Sequence, residues 1–551
     1  MKVLGASLGD CVHVAGVTRF LRAAEGLGWE TLFSGPATDP EALVDLALQF
    51  DPDVIGISYR LTPENIRPLL HELRGMLRAA GLADRRLAFA GTPPVVAVVR
   101  AEFADLFEAY FVGGESSLAV KQYLAGGSPE AGGPAEYPQG VIERIHWKAP
   151  LPLLRHHYGE PAVSIEPTVR GIEQIAESGA LDVISLGADQ DAQEHFFHPE
   201  NQRASSKGAG GVPFRTEEDL RRLYAASRRG NYPLLRSYAG TRDHLRYAEM
   251  LARTIHNAWC AIPLFWFNDM DGRGPSPLTE SIREHVEVMA WHGARDIPVE
   301  GNEPYHWGMR DAPDVVVCAV SYLYAHIAKK AGVRDYITTY MFESPPHLSN
   351  RMDLAKCLAQ IALAEFAADR EFRIWRQTRT GLLSYPLNMA QARAHLAQSV
   401  MLQMAVRPHI LHVVGYTEAD HAASAGEAIE SAQMAGYIAE VALRGSPDLA
   451  ADPLIQERKE ELIAETGLLL DAIRALGAGA EDPLADPAVL ARAVRTGLLD
   501  APQLVNNRYA PGAIRTASIE GAIRAVDEQG KPIPERVRIA RVMEGTGAPP
   551  G

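Results

Sequence analysis

The chain has 551 residues, which at roughly 100 to 200 residues per domain predicts about three to five structural units. Hydrophobic residues make up 47% of the sequence and charged residues 22%, a composition that is typical of a folded globular protein and excludes a disordered chain. The 54 lysines and arginines against 69 aspartates and glutamates give a formal net charge of −15, so we expect no nucleic-acid partner, which would need a basic face.

Cysteine spacing and the first residues narrow the class of protein further. The four cysteines lie far apart and form no CxxC pair, which excludes a local zinc knuckle or iron–sulfur motif and is typical of a reduced protein. The start, MKVLGASLGD, lacks the basic and apolar regions of a secretion signal, and no stretch approaches about 18 uninterrupted apolar residues. We therefore expect a cytoplasmic protein with no membrane partner.

Residues 2–124 alternate short apolar runs with helical periodicity. The first run, KVLGASLG, is followed by apolar residues at i, i+3, i+4 and i+7 from Val17, and four similar pairs follow. Five such βα units predict an α/β domain of the Rossmann-like (flavodoxin-like) type over residues 1–125. Gly- and Pro-rich sequence follows, and we predict an interdomain linker over residues 126–150.

The alternation of apolar runs and helical segments resumes over residues 151–445, with a longer spacing between the runs. Eight βα repeats over about 280 residues are typical of a TIM (β/α)8 barrel, whose strands are buried on both faces and read as continuous apolar runs. Residues 446–551 predict a C-terminal α+β extension, with helices near 454–476 and 488–496 before an extended tail. The predicted barrel strands are 162–166, 182–187, 233–238, 261–267, 297–301, 336–342, 372–378 and 409–415.

The loop after the first strand carries Asp10, His13 and Gly16. At the carboxyl edge of a parallel sheet, a flexible loop can present an imidazole nitrogen outward, and glycine allows close backbone approach. A histidine that binds a metal is usually oriented by a carboxylate at its other ring nitrogen, and Asp10 is available for that bond. The loop is therefore a candidate ligand site.

This loop resembles the Asp-x-His-x-x-Gly signature of cobalamin-binding domains, in which the histidine replaces the dimethylbenzimidazole as the lower ligand of cobalt. One additional residue separates Asp10 from His13 here, whereas the spacing from His13 to Gly16 is kept. The resemblance implies that His13 binds the cobalt of cobalamin. It also implies cobalamin contacts at three later strand ends, namely Ser58, the pair Gly91 and Thr92, and the pair Gly113 and Gly114.

Two later segments, 412–443 and 488–534, are similar to the barrel subunit of glutamate mutase (methylaspartate mutase). The second includes a Thr-Gly-x-x-Asp-x-Pro run that starts at Thr496, and the likeness is weak between strands 2 and 5. That family supplies the two domains as separate chains, whereas here they are fused. The resemblance implies an adenosylcobalamin-dependent radical isomerase, in which cobalt–carbon homolysis yields a radical that abstracts a substrate hydrogen. It also implies that Glu418 holds the adenosyl ribose, while Val414 replaces the family's lysine.

Polar and cationic residues at the carboxyl ends of barrel strands are positioned for ligands. Arg273, between two glycines, matches a substrate-carboxylate arginine of the family, and we expect Arg310 and Arg376 to be weaker companions. Bidentate guanidinium–carboxylate pairs are strong planar clamps, so a small-molecule carboxylate is the expected partner. We expect catalytic carboxylates at Glu284, which matches the family's catalytic glutamate, and at Glu303. Further residues at strand ends are Arg236, Arg242, His306, Glu343 and Arg379.

The favoured prediction is a cytoplasmic carbon-skeleton mutase that acts on a carboxylated, amino-acid-like substrate. A corrinoid methyltransferase is the alternative, since the same domain plan would bring methylcobalamin to a barrel; the absence of a helical cap before strand 1 disfavours it. A cobalamin-responsive sensor or scaffold would predict an emptied strand-end site. His195 and His198 lack a third ligand and are expected to be ordinary loop residues. A homodimer is among the assemblies left open.

Overall fold

The computed structural model describes residues 1–112, 120, 123–124, 126, 137–346 and 348–544. The chain divides into two compact units, residues 1–136 and 137–551. Gly113 and Gly114 lie outside the described residues. Within the described ranges, no helix is long and apolar enough to cross a membrane.

The first unit contains a five-stranded parallel sheet with the strand order β2-β1-β3-β4-β5. Helices alternate with the strands along the chain, and the apolar face of each helix packs against the sheet. β1 pairs with β3 from Val3 opposite Val54 to Ser7 opposite Ser58, so the loop that follows β1 begins beside Ser58. The elements are β1 (Lys2–Ser7), α1 (Ala15–Glu25), β2 (Glu30–Phe33), α2 (Pro40–Phe50), β3 (Val54–Tyr59), α3 (Pro63–Ala79), β4 (Arg86–Gly91), α4 (Pro93–Glu102) and β5 (Ala109–Phe111).

The second unit contains a closed barrel of eight parallel strands in the order β6-β7-β8-β9-β10-β11-β12-β13, with β13 pairing back to β6. This arrangement confirms the predicted TIM-like barrel. The strands are β6 (Leu153–Tyr158), β7 (Val183–Leu186), β8 (Leu234–Tyr238), β9 (Cys260–Ala261), β10 (Val299–Gly301), β11 (Asp335–Phe342), β12 (Arg373–Thr380) and β13 (Ile410–Val413).

Helices surround the barrel and continue into the C-terminal region. The helices up to the last strand are α5 (Val141–Lys148), α6 (Glu166–Ser178), α7 (Gln190–Glu194), α8 (Glu217–Ala226), α9 (His244–Thr254), α10 (Leu278–Gly293), α11 (Glu303–Gly308), α12 (Asp314–Lys330), α13 (Asn350–Glu365) and α14 (Met389–Gln403). Those that follow are α15 (Ala425–Leu443), α16 (Pro453–Leu476), α17 (Pro487–Thr496) and α18 (Glu535–Glu544), with an antiparallel hairpin of β14 (Thr516–Ile519) and β15 (Ala522–Ala525). Apolar side chains of α16 and α17 share one buried cluster with α12 of the barrel.

The predicted first barrel strand, 162–166, is wrong. Residues 162–165 form bends, Glu166 begins α6, and the strand is β6 with the sequence LLRHHY. β6 is not a continuous apolar run, because its Arg155 and His157 point into the barrel and contact polar partners there. A polar interior gives strands an alternating pattern that the expected continuous apolar run does not fit.

The predicted linker over 126–150 is also wrong in its last part, because residues 141–148 form α5. Val141 and Ile145 of this helix pack against apolar residues at or near the amino ends of the barrel strands, including Leu153, Val183 and Leu234. The helix therefore closes the amino-terminal end of the barrel with apolar side chains.

Above this apolar layer, the barrel interior is polar. Glu300 on β10 accepts hydrogen bonds from Arg155 (3.0 Å), from Arg236 and from the indole Nε1 of Trp259 (2.6 Å). Arg155 also donates to Ser185 Oγ at 2.6 Å and to Gln377 Oε1 at 2.7 Å. Burial alone would raise the pKa of Glu300, but the two guanidinium groups outweigh it and hold that pKa far below its ordinary value. The carboxylate therefore stays ionised and joins β10 to β6, to β8 and to the residue that precedes β9.

We predict that Glu300→Gln destabilises the barrel strongly. The substitution leaves two buried guanidinium groups without a counter-charge, a loss that typically costs about 3 to 5 kcal/mol. Urea unfolding followed by circular dichroism measures the change in the free energy of unfolding. The control is Glu166→Gln, which removes the half-exposed pair of Glu166 with Arg222 and should cost less than about 1 kcal/mol. Equal losses in both variants would contradict the role given to Glu300.

Candidate functional site

His306, which follows β10, is the centre of a cluster at the carboxyl end of the barrel. Between ring centroids, His306 lies 4.7 Å from Tyr305, 6.0 Å from Trp266 and 5.9 Å from Phe267. Burial lowers the pKa of His306 well below its ordinary value, and the nearby charges of three arginines lower it further. His306 is therefore neutral, and among the described residues neither of its buried ring nitrogens has a hydrogen-bond partner.

The three arginines are Arg273, Arg310 and Arg379, and we call them, together with Tyr305 and His306, the mouth site. Each guanidinium lies against an aromatic ring: Arg273 is 3.9 Å from the Phe267 centroid, Arg310 is 3.9 Å from Trp266, and Arg379 is 5.3 Å from Tyr305. Aromatic faces attract cations and hold planar guanidinium groups in a fixed orientation. The mouth site is thus a cationic site with aromatic walls.

Arg273 lies in the loop 267–276 after β9, as the sequence predicted. Its Nε donates to Asp271 at 2.8 Å and its Nη2 lies 2.6 Å from the same carboxylate, while the side chain stays 37% exposed. Asp271 also accepts the backbone N–H groups of Phe267 and Asn268, which fixes the loop. Gly274 is required because a Cβ there would lie 2.5 Å from the carbonyl oxygen of Phe267.

Arg310 is half-buried and donates to the carbonyl oxygen of His306 at 2.8 Å. Within the described residues, no carboxylate lies within ion-pair distance of its guanidinium. Burial lowers the pKa of Arg310, and the charge of Arg273 lowers it further. The charges of Asp271 and Glu303 oppose these shifts, so the repulsion between the two guanidinium groups is partly offset.

The register of β12 separates two arginines that the sequence placed together. Arg376 is on the outer face, where it donates to the carbonyl oxygen of Val406 at 2.8 Å and lies 3.5 Å from the carboxylate of Glu365. Arg379 lies on the inner face, is only 4% exposed, and has no hydrogen-bond or ion-pair partner among the described residues. The arginine on the inner face of the barrel is therefore Arg379, and the position expected for Arg376 is wrong.

Below Arg379, a column of aromatic and imidazole side chains leads to the buried ion pairs. The hydroxyl of Tyr238 and a guanidinium nitrogen of Arg155 lie 3.2 and 3.3 Å from His157 Nε2, and the His157 and His412 rings are 4.8 Å apart. Burial and the nearby arginines lower the pKa of both histidines well below the ordinary value. The column is therefore polar, but its imidazoles carry no charge at neutral pH.

Glu303, a predicted catalytic carboxylate, is fully buried at the start of α11. Its two oxygens accept the backbone N–H groups of Leu264 (2.7 Å) and Phe265 (3.2 Å). The observed strand β9 ends at Ala261, so most of the predicted strand 261–267 is instead a buried loop, and Glu303 binds its backbone. Burial raises the pKa of Glu303 to about 8 although the two N–H donors oppose the shift. Its geometry positions the loop that leads to Arg273.

The other two predicted carboxylates lie away from His306. Glu284 on α10 is 44% exposed, accepts from Ser276 Oγ at 3.1 Å and lies 3.7 Å from His244 Nε2. Glu418 lies in the loop after β13 with an exposed side chain, yet surrounding protein raises its pKa by desolvation while Arg379 opposes the shift. Of the two, only Glu418 therefore faces a member of the mouth site.

In the first unit, the loop after β1 presents His13 to solvent. Its Nδ1 lies 3.8 Å from Cys11 Sγ. Asp10 instead accepts a hydrogen bond from the Tyr59 hydroxyl at 3.2 Å, which with burial raises the pKa of Tyr59 to about 12. Asp10 thus holds the loop to β3 rather than orienting the imidazole.

The other predicted cofactor contacts of the first unit lie along the same sheet edge. A Cβ on Gly16 would lie 3.5 Å from Ser58 Oγ, so the start of α1 passes close over that hydroxyl. Gly91 ends β4 where a Cβ would lie 2.7 Å from the Tyr59 carbonyl oxygen, and Thr92 precedes α4. Three strand ends therefore bring these residues to one edge.

No protein-family model matches the chain, and no curated protein sequence matches it.

Among the described residues, no three His, Cys, Asp or Glu side chains are grouped so that they could hold a metal ion. His198 pairs with Asp243 at 2.8 Å, which is an ordinary loop contact.

The sequence did not predict Tyr305 of the mouth site or Tyr238, His157 and His412 of the column below it. The available signal for the three strand residues was the period of two along single strands, as in Arg155 with His157 and Arg236 with Tyr238, whereas Tyr305 lies on helix α11. Residues two apart on a strand share a face, so these pairs mark the inner face of the barrel.

We predict that Glu303 makes the stability of the second unit fall as pH rises. Its folded-state pKa of about 8 lies above the ordinary value of about 4.3, so its stabilising contribution is complete below the lower value and is lost as pH rises through the higher one. The slope is at most about 1.4 kcal/mol per pH unit. Glu303→Gln stays neutral and should gain stability relative to the wild type between pH 5 and pH 8, measured by urea unfolding. Parallel pH profiles of the two proteins would contradict this.

Proposed function

We propose that the chain is an adenosylcobalamin-dependent radical isomerase, a carbon-skeleton mutase that acts on a carboxylated, amino-acid-like substrate. The observation that carries the proposal is the mouth site, where Arg310 and Arg379 have no carboxylate partner among the described residues. Buried cations without a counter-charge are costly, so an anionic ligand is expected between them.

The first unit supports a cobalamin site of the Rossmann-like, flavodoxin-like type. Its strand order is that of doubly wound sheets, which bind ligands at the carboxyl ends of the strands beside β1 and β3. His13 is exposed at this edge and can reach a cobalt ion outside the loop. Ser58 is buried beside Gly16, and its hydroxyl could donate a hydrogen bond to a nucleotide tail that entered at this edge. These residues fit the cofactor, although Asp10 is engaged by Tyr59.

The cofactor supplies a carbon-centred radical when bound. The protein's own residues bind the substrate, orient it and exclude water. Arg379 would hold one carboxylate, Arg310 together with Arg273 would hold another, and neutral His306 could donate to or accept from the same ligand. Glu418 faces Arg379 and could accept hydroxyl hydrogen bonds from the cofactor's ribose. The buried ion pairs of Glu300 keep the floor of the site rigid.

We predict that His13 sets the spectrum of bound cobalamin. If His13 replaces the dimethylbenzimidazole, cobalamin bound to the wild type shows histidine coordination, and His13→Ala converts it to the base-off form. Absorption and electron paramagnetic resonance spectra of the Co(II) state measure this. The matched control is His71→Ala, since His71 lies on α3 of the same unit and contacts Arg74 and Phe103. A spectrum that His13→Ala leaves unchanged would remove His13 from the site.

We predict that Arg379→Lys lowers kcat/KM for the accepted substrate at least tenfold, because lysine keeps the charge but loses the planar fork that pairs with a carboxylate. The matched control is Arg376→Lys, on the outer face of the same strand and 31% exposed, which should change kcat/KM less than about twofold. Turnover is measured on a panel of acids and amino acids, separately with adenosylcobalamin and methylcobalamin. Turnover with methylcobalamin alone would replace the proposal with a methyltransferase, and equal effects of both variants would refute the carboxylate site.

A further inference from the structure

Arg273 and Arg310 lie on two different segments of the chain. One C-terminal segment forms hydrogen bonds to both of these segments. We call residues 500–516 the strap. Asn507 Nδ2 donates to the carbonyl oxygen of Met270 at 2.7 Å, and the Tyr509 hydroxyl donates to Asp269 Oδ2 at 2.8 Å. Met270 and Asp269 belong to the loop 267–276, three to four residues before Arg273.

The strap also holds the residue next to Arg310. Gln503 Nε2 donates to Asp311 Oδ2 at 2.8 Å, and Thr516 Oγ1 donates to the Asp311 carbonyl oxygen at 2.8 Å. Asp311 has a positive φ of 64°, a conformation that costs a non-glycine residue free energy and needs such support. The strap therefore connects the loop after β9 to the segment after β10.

The strap has a fixed shape of its own. Asp500, which is buried, accepts the backbone N–H groups of Gly512 (3.0 Å), Ala513 (2.8 Å) and Ile514 (3.2 Å). Asn507 Oδ1 accepts the N–H of Tyr509 at 2.8 Å, so one amide side chain shapes the strap and also binds the loop. Three hydrogen bonds to one carboxylate close a turn that presents residues 503–509 toward the barrel mouth.

We propose that the strap is a positioning element for the mouth site: Asn507, Tyr509 and Gln503 set the spacing of Arg273 and Arg310 and so determine the affinity for the substrate carboxylate. This inference rests on the proposed function for the identity of the ligand. The physical reason is that Arg273 and Arg310 lie on two separate segments of the chain, and the hydrogen bonds from the strap join those segments. A clamp for one planar carboxylate tolerates little change in that spacing.

The test is a double-mutant cycle between the strap and Arg273. Asn507→Ala with Tyr509→Phe should raise KM for the accepted acid about tenfold and change kcat less than about threefold. In the Arg273→Gln background the same pair should raise KM less than about twofold, because the residue it positions is gone. Tyr437→Phe is the matched control, an exposed tyrosine on α15 that should change nothing.

Binding separates this inference from the proposed function. Calorimetric titration with L-glutamate, glutarate and methylmalonate measures Kd without the cofactor, in the same four proteins of the cycle. Carboxylate binding that weakens in the strap variant, with no turnover under any cobalamin, would refute the proposed function alone. Turnover or binding that the strap variant leaves unchanged, or that falls equally in the Arg273→Gln background, would overturn this inference. If the pair of substitutions unfolds the protein, Tyr509→Phe alone, which removes one hydroxyl, gives the same decision.

Discussion

The carboxylate of Glu300, shared by two buried guanidinium groups, is the interaction on which the interior of the barrel depends. Arg155 and Arg236 come from β6 and β8, and Gln377 and Thr339 extend the network to β12 and β11. A network of this kind is stable only when its members are paired, because each unpaired buried charge costs several kcal/mol. It therefore fixes which face of each strand points inward, and with it the residues that reach the mouth.

The mouth site also contains arginines, but too few carboxylates lie near them to balance their charge. Arg273 is ion-paired with Asp271 but stays 37% exposed, whereas Arg310 and Arg379 lie against aromatic rings and have no carboxylate within ion-pair distance among the described residues. Glu303 does not compensate, since it is buried against backbone N–H groups and its pKa is raised to about 8. The charges are paired in the barrel interior but incompletely paired at the mouth site, and this difference favours an anionic ligand at the mouth site.

The sequence pattern predicts the class of architecture, but the predicted positions of the first barrel strand and of the linker are wrong. Alternating βα patterns gave the parallel sheet and the closed barrel, because helix and strand periods are local properties of the chain. The first barrel strand was misplaced because β6 carries Arg155 and His157, which read as surface residues until their partners on β8 and β10 are known. The sequence of α5 does not by itself indicate a packed helix, because its apolar face is buried only by the strand ends that it covers.

For the site, the sequence by itself determined that cationic residues cluster at strand ends and that a histidine loop follows β1. Only the tertiary structure decided that Arg379 rather than Arg376 faces the barrel, that Asp10 binds Tyr59 rather than His13, and that Glu303 is pinned to a loop. The reason is physical. Side-chain chemistry is a property of each residue, but the direction in which a side chain points depends on strand register and on partners from other elements of the chain.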